Sequence, residues 1–503
     1  MAFVRYDVVV VGGGNAGMSA ALAAAERASK VLVLERAPHE ERGGNTGFTA
    51  GAMRFAYDGV DDLTDIVSDL DEATLARTDF GSYPESQFYD DLDRVTESRC
   101  DPDLAEVLVT GSQPAVRWLK SKGVRFLPIY GRQAYEVDNK FTFWGGLTLE
   151  VSGGGRGMVE YLERACASNG ITVEYATRAR ELVVSSQGVV GLKVERESPD
   201  GHLELATIEC SSVVLAAGGF QSNAAWRVGY LGPGWDLAKV RGTRYDTGDG
   251  IEMGLAVGAS PAGHWSGCHA VAWDYNAPEY GVLEIGDSFQ KHSYPLGIVV
   301  NRDGKRFVDE GADFRNYTYA KYGREILAQP GQLAWQVFDA KVLDRLRDEY
   351  RIRQVSKVRA NSLPELAVKM GGIDEAAFLK TVAEYNGAVR SEDADYNPNI
   401  LDGLGTVGLP VNKSNWALTI DEPPFEAYAV TCGITFTFGG LRIDNQARVL
   451  NDAGAPIPGL FAAGEMVGGL FYFNYPGGSG LSNGTVLGRL AGSTAGDRAA
   501  GTG

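Results

Sequence analysis

The hydrophobic positions of this chain change period several times, and each change marks an element. Residues 6–11, YDVVVV, form an unbroken β-branched run, the pattern of a strand buried on both faces of a parallel sheet. Glycines at 12, 13, 14 and 17 then turn the chain. Residues 18–27 are rich in Ala and predict a helix, and residues 30–35 predict a second strand. A right-handed crossover makes these two strands parallel neighbours. Residues 60–125 predict helices with Asp and Glu on the outer face, whereas 126–150 is aromatic and reads as a loop. A helix is expected from 153–157 through 167, followed by a small antiparallel sheet from Val173 and the segments near 182–196 and 204–210. Residues 213–217 predict another buried strand. From about 262 to 434 aromatics, Asn and Pro rise, and helices are expected at 364–370 and 375–390. Beyond 435 Gly-rich punctuation returns, with a strand at 459–463 and a closing helix at 482–495.

This order predicts an α/β chain: a Rossmann-type domain formed by residues 1–261 and 435–503, interrupted by an α+β capping domain over 262–434. A length of 503 residues agrees with two or three domains. The formal net charge of −18 makes nucleic acid an unfavourable partner, and an anionic substrate would need a local positive site. Five dispersed cysteines, with no CxxC pair, support neither a disulfide framework nor a metal centre. No apolar run is long enough to span a bilayer, and no signal segment precedes residue 6, so the expected compartment is cytoplasmic.

The glycine turn fits G-x-G-x-x-G. Gly12 permits a tight turn, Gly14 lets a pyrophosphate approach the backbone, and Gly17 lets helix and strand pack. Asn15 and Ala16 lie in this turn, ahead of a helix whose N-terminus favours phosphate. Glu35 ends the second strand, where a carboxylate reaches ribose hydroxyls, and Arg36 follows it. Four further segments point to FAD rather than a nicotinamide cofactor. They are Gly43-Gly44-Asn45-Thr46 with Ala50-Gly51, the strand end Ala217-Gly218, Gly464-Glu465, and Gly480-Leu481-Ser482 before the last helix. Glu465 suits ribityl hydroxyls, and the last helix's dipole suits a reduced flavin ring. Asp249, in a TGDG turn, completes the expected cofactor set.

These segments together resemble the fumarate reductase/succinate dehydrogenase flavoprotein superfamily. GGNTGFTAGAM, VVLAAGGF, TGDGIEMGLAVGA, VNRDGKRFVDE and GLFAAGEMVGG occur in that superfamily's order over nearly the whole chain. GRQAYEVDNKFTFWGG, GKRFVDEGADFR, GITFTFGG and NYPGGSGL look most like FAD-dependent tricarballylate dehydrogenases. The resemblance implies a desaturase forming a C=C bond beside a carboxylate, with a separate electron acceptor such as a quinone, a redox protein or dioxygen; a fumarate reductase-like enoate reductase running the same half-reaction backwards is one alternative. It also implies noncovalent FAD, because residues 44–51 lack the His used for covalent attachment in the succinate dehydrogenase branch. Arg315, five residues after Glu310, falls near the place of the proton-shuttling Arg of soluble fumarate reductases, and Asp313 beside it could complete a relay. Two departures weaken a fumarate assignment: Phe436 stands where those enzymes carry His, and Tyr475 where they carry Arg. Tyr475-Pro476-Gly477 and the segment from Tyr319 to Arg324 instead resemble 3-ketosteroid Δ1-dehydrogenases, which implies a cyclic ketone as the alternative substrate. Arg315, Tyr319 and Tyr475 are therefore the candidate catalytic residues. His264, His269 and His292 are candidates on the cap side, and Tyr130, Arg132, Tyr135, Phe143 and Trp144 are placed to wall a substrate.

Overall fold

The apolar run Tyr6–Val11 forms the central strand of an α/β sheet in the computed structural model, which describes residues 5–28, 30–197, 202–390 and 396–501. Its neighbours are parallel on both sides, Val9 lying opposite Leu32 in Val31–Leu34 and opposite Val213 in Leu203–Leu215. Thr172–Glu174 and Pro456–Ala462 extend the parallel layer outward. The stretch expected near 182–196 is a hairpin, Thr177–Ser185 with Gly188–Glu197, which continues onto the first half of Leu203–Leu215. The nucleotide helix Asn15–Ala25 begins three residues earlier than its Ala content suggests. The closing helix Ser479–Ala500 likewise begins at Ser479. It packs on the nucleotide helix through glycines, since a Cβ on Gly488 would lie 2.4 Å from the Ala16 carbonyl oxygen and one on Gly492 2.0 Å from that of Ala20.

A second sheet is organised around Phe425–Leu441, which pairs antiparallel with Pro261–Asp274, Ala334–Phe338 and Lys357–Ala360, and parallel with Lys239–Val240. The expected divisions at 261/262 and 434/435 cut this sheet, the second of them inside its central strand. The helices Leu363–Met370 and Glu375–Ala388 cover it with a core that includes Leu366, Phe378 and Trp335. Residues 60–125 are mainly helical, the longest helix being Pro102–Ser121. The aromatic stretch after them departs from the expected loop. Ala134–Val137 pairs with Lys140–Phe143 across Asp138 and Asn139, both at positive φ, as a two-residue hairpin turn requires. No helix of the described residues is long and apolar enough to cross a membrane.

Candidate functional site

A continuous cleft of about 1810 Å³, part of it open to solvent, runs from the glycine turn to the second sheet. Its floor is set by backbone. Gly12 has φ +112°, and a Cβ there would lie 2.3 Å from the Ala216 carbonyl oxygen; a Cβ on Gly17 would meet Gly12 O at 1.9 Å. Gly14 and Gly44 face each other across the cleft floor, a Cβ on Gly44 finding only the Gly14 Cα at 3.9 Å. Such a gap between two bare backbones is a cradle that any side chain would fill. The nucleotide helix opens at Gly14 with no side-chain cap, and the Asn15 amide donates to Thr46 Oγ1 at 3.0 Å. Asn15 also donates through Nδ2 to the Leu481 carbonyl at 2.8 Å, tying the two helix N-termini together. Both helix dipoles therefore converge on the cleft. Asn483 lines it, and its Oδ1 is buried and without a partner among the described residues. Cradle, dipoles and orphaned acceptor fit a dinucleotide.

Glu35 lines one end. Its Oε2 accepts from the Gly13 amide at 2.8 Å and its Oε1 from the Ala37 amide at 2.7 Å, leaving further lone pairs for ribose hydroxyls. Burial raises its pKa, partly offset by those amides. Arg36 donates to Thr247 Oγ1 at 2.6 Å and pairs with Asp249, which Arg178 also holds at 2.6 Å. Farther along, Asn45 ties three segments, donating to the Thr435 carbonyl at 2.6 Å and accepting from the Thr243 amide at 3.0 Å. Glu465 Oε1 accepts from the Thr437 amide at 2.9 Å. Gln221 Nε2 donates to Asp246 at 2.6 Å and to Glu465 at 3.4 Å. Burial pushes Glu465 up to about 8, and burial together with Glu465 raises Asp246.

At the far end a bulge aims side chains inward. The register between Pro261–Asp274 and Phe425–Leu441 shifts between His269 and Ala270, so that Thr435 is the extra residue opposite. Phe436 is the one residue of its 17-residue strand that is not fully buried, and it faces the cleft with His269. The hydroxyls of Tyr319 and Tyr475 share a short hydrogen bond. Burial raises both; Tyr319 is pulled back by that bond, Arg241 and Arg315, whereas proximity to Tyr319 pushes Tyr475 further up. Arg315 Nη1 lies 3.0 Å from His292 Nδ1 and its guanidinium 5.5 Å from the Tyr319 ring centroid. Since a guanidinium only donates, His292 carries its proton on Nε2. Burial holds His269 and His292 well below the usual imidazole range, so both are neutral. Both His269 nitrogens and Arg315 Nε are buried without partners among the described residues.

The structure brings Arg315, Tyr319 and Tyr475 together on this wall. Gly12, Gly14, Asn15, Ala16, Glu35, Arg36, Gly44, Asn45, Thr46, Ala50, Ala217, Gly218, Asp249, Gly464, Glu465, Gly480 and Leu481 also line the cleft. Gly17, Gly43 and Gly51 stand behind it and shape its backbone: a Cβ on Gly51 would meet Gly154 at 2.7 Å. Ser482 points away, its hydroxyl donating to the Arg54 carbonyl. The expected Arg315–Asp313 relay is absent, because Asp313 turns outward to pair with Arg94 at 2.7 Å. His264 is half-buried outside the cleft, accepting from the Phe473 amide at 3.0 Å. Asp246, Gln221 and Asp287 join the site without having been expected from sequence; the acid immediately before the TGDG turn is the signal for the first, and nothing in sequence spacing marks the others.

The family model described as FAD binding domain matches residues 7–481. A fumarate reductase (cytochrome) of Shewanella frigidimarina is 30% identical over 97% of this chain and 76% of its own length. A 3-oxosteroid 1-dehydrogenase of Mycolicibacterium smegmatis is 28% identical over 95% of this chain and 94% of its own. The chain spans about half the length of some larger relatives, 48% in one case. Among solved structures, the open conformation of a flavocytochrome c3 fumarate reductase superposes with a TM-score of 0.72 at 27% identity, covering 99% of this chain and 79% of that one.

Proposed function

This chain belongs to the FAD-binding family whose model spans residues 7–481, and from that membership we propose that it moves hydrogen across a carbon–carbon bond beside a carboxylate. The observation that carries this reading is the buried Tyr319–Tyr475 hydroxyl pair beside Arg315, whose Nε–H has no partner among the described residues. When bound, FAD supplies a ring that accepts or returns a hydride. Gly14, Gly44 and Asn15 would hold its phosphates, Glu35 its ribose, and Glu465 its ribityl chain, with no covalent bond to the protein. Arg315 binds and orients the substrate carboxylate, and its charge stabilises an enolate-like build-up of negative charge there. Tyr319 Oη takes the proton from the carbon next to that carboxylate. Tyr319 acts as base after releasing its own proton to solvent; burial opposes that release and raises its pKa, while the hydrogen bond from Tyr475 and the charges of Arg241 and Arg315 pull it part of the way back. His269, neutral and in the same wall, supplies a polar contact without competing for the proton. Desaturation is the direction we assign; reduction would use the same groups in reverse. A separate acceptor, whether quinone, redox protein or dioxygen, takes the electrons. Most of residues 262–434 we assign to a cap over the substrate.

A second reading, oxidation of a cyclic ketone, is favoured by Phe436, Phe438 and Phe471, which give the cleft an apolar wall. The test is anaerobic mixing of the oxidised holoenzyme with saturated carboxylates, cyclic ketones and steroids, followed by loss of the flavin's visible band. Bleaching by carboxylates supports the first reading. Bleaching by ketones alone replaces it with the second. Flavin that stays on the polypeptide after acid precipitation would overturn the noncovalent assignment.

A further inference from the structure

Three guanidinium groups reach the substrate end of the cleft, and two of them are already occupied by an anion. Asp287 Oδ1 accepts from Arg241 Nε at 2.8 Å and also from Arg241 Nη2, while Oδ2 accepts from Arg132 Nη1 at 2.5 Å and from Gln290 Nε2 at 2.7 Å. The remaining Arg241 donor, Nη1, goes to Thr435 Oγ1 at 3.0 Å. Arg132, Arg241, Asp287 and Gln290 all line the cleft. They come from three separate stretches of chain: the short helix Tyr130–Gln133, the residue after the strand Lys239–Val240, and the segment that follows Pro261–Asp274. The Asp287 side chain is only 4% exposed. Arg315 differs. Its hydrogen-bond partners are a neutral imidazole, the Arg132 carbonyl oxygen and the Asn316 amide oxygen; the Glu349 carboxylate acts on it through space without a hydrogen bond.

Four converging N–H donors around one carboxylate are the arrangement a binding site uses for a ligand carboxylate. As a device for stability it is a poor choice, because a buried ion cluster pays a desolvation cost that apolar packing would avoid. We infer that Asp287 stands in for a substrate carboxylate: it fills the anion position between Arg132 and Arg241 and so restricts this site to substrates that offer a single carboxylate, bound at Arg315. This inference rests on the carboxylate reading proposed above and narrows it. It argues against a tricarboxylate or dicarboxylate substrate, since Asp287 already takes the Arg132 and Arg241 donors that a second carboxylate would need.

The test uses two acids that cannot be desaturated at the substituted carbon, pivalate with one carboxylate and 2,2-dimethylsuccinate with two. Their binding to the holoenzyme is read from perturbation of the flavin's visible spectrum at equilibrium. The wild type should bind the monoacid at least as tightly as the diacid. Asp287→Ala should bind the diacid at least about tenfold more tightly than the wild type does, the change expected of one charge-assisted hydrogen bond. Formate added to that variant should remove the gain by filling the vacated position, and should raise its melting temperature without affecting that of the wild type. If Asp287→Ala does not yield folded holoenzyme, Asp287→Asn keeps the shape, removes the charge and should shift preference the same way. A wild type that prefers the diacid tenfold, or variants that gain nothing for it, overturns the role of Asp287 and leaves the carboxylate reading standing. Failure of both acids to bind the wild type and both variants overturns the carboxylate reading, and this inference with it.

Discussion

Glu465 and Asp246 meet across one amide, Gln221, on the buried side of the cleft. Unfolded, Glu465 ionises near its ordinary 4.5; in the fold, burial moves it to about 8. Between those values the folded chain holds more protons than the unfolded one, so stability falls as pH rises. Asp246, also raised, contributes with the same sign. The apoprotein should therefore melt at progressively lower temperature from pH 5 towards pH 8, and Glu465→Gln, which cannot ionise, should flatten that slope. An unchanged slope in the variant would mean that Glu465 is ionised throughout. Two further substitutions separate the proton from the carboxylate. Tyr319→Phe should retain FAD and lose about 10²–10⁴-fold in kcat, the usual contribution of a positioned acid or base. Arg315→Gln should raise KM more than it lowers kcat, since it removes binding first. Equal kcat losses in both, with KM unchanged, would return the proton to Arg315, as its spacing from Glu310 implies.

Among the elements, the two helices whose N-termini share the cleft depend on how closely they approach. A Cβ on Gly492 would sit 2.0 Å from the Ala20 carbonyl oxygen, and backbone cannot swing aside as a long side chain can. Gly492→Val should cost about 1–3 kcal/mol through overpacking and weaken FAD retention, because Asn15 and Leu481 lose their bond at the cradle. Gly387, in the helix Glu375–Ala388, has nothing within 4 Å of a built Cβ. Gly387→Ala should instead be neutral or stabilising, as measured by thermal melts of the two variants side by side. The nucleotide helix and its flanking strands were legible in sequence because glycine turn, Ala run and β-branched runs are all local signals. The strand Phe425–Leu441 was not, because its hydrophobicity runs across the composition change that suggested a boundary at 434/435. The 126–150 stretch was misread for a related reason: Ala134–Val137 and Lys140–Phe143 are short, and their turn lacks the glycine that usually marks one. Tyr319 and Tyr475 could be named from motifs, but their shared hydrogen bond joins residues 156 apart, and the Arg132–Asp287–Arg241 cluster is invisible until the sheet is built.

At the scale of the whole molecule, the formal net charge of −18 sets a field that a carboxylate substrate must cross before it reaches Arg315. Asp287 neutralises one of the two guanidinium charges of Arg132 and Arg241, and the single charge left over is small beside that field. The long-range term is therefore repulsive for an anion and absent for a neutral ketone. Added salt shortens the range of that field from about 30 Å at 0.01 M to about 8 Å at 0.15 M. Over that interval kcat/KM for a carboxylate substrate should rise, because screening removes repulsion at distance while the buried contact with Arg315 is screened far less. For a neutral ketone it should stay flat. The comparison is made by stopped-flow flavin reduction at substrate concentrations well below KM, with the salt chosen so that its anion does not itself bind. A carboxylate whose kcat/KM falls as salt is added would mean that the cleft mouth attracts anions in spite of the net charge, and would shift the weight of recognition from Arg315 alone to the cations around it.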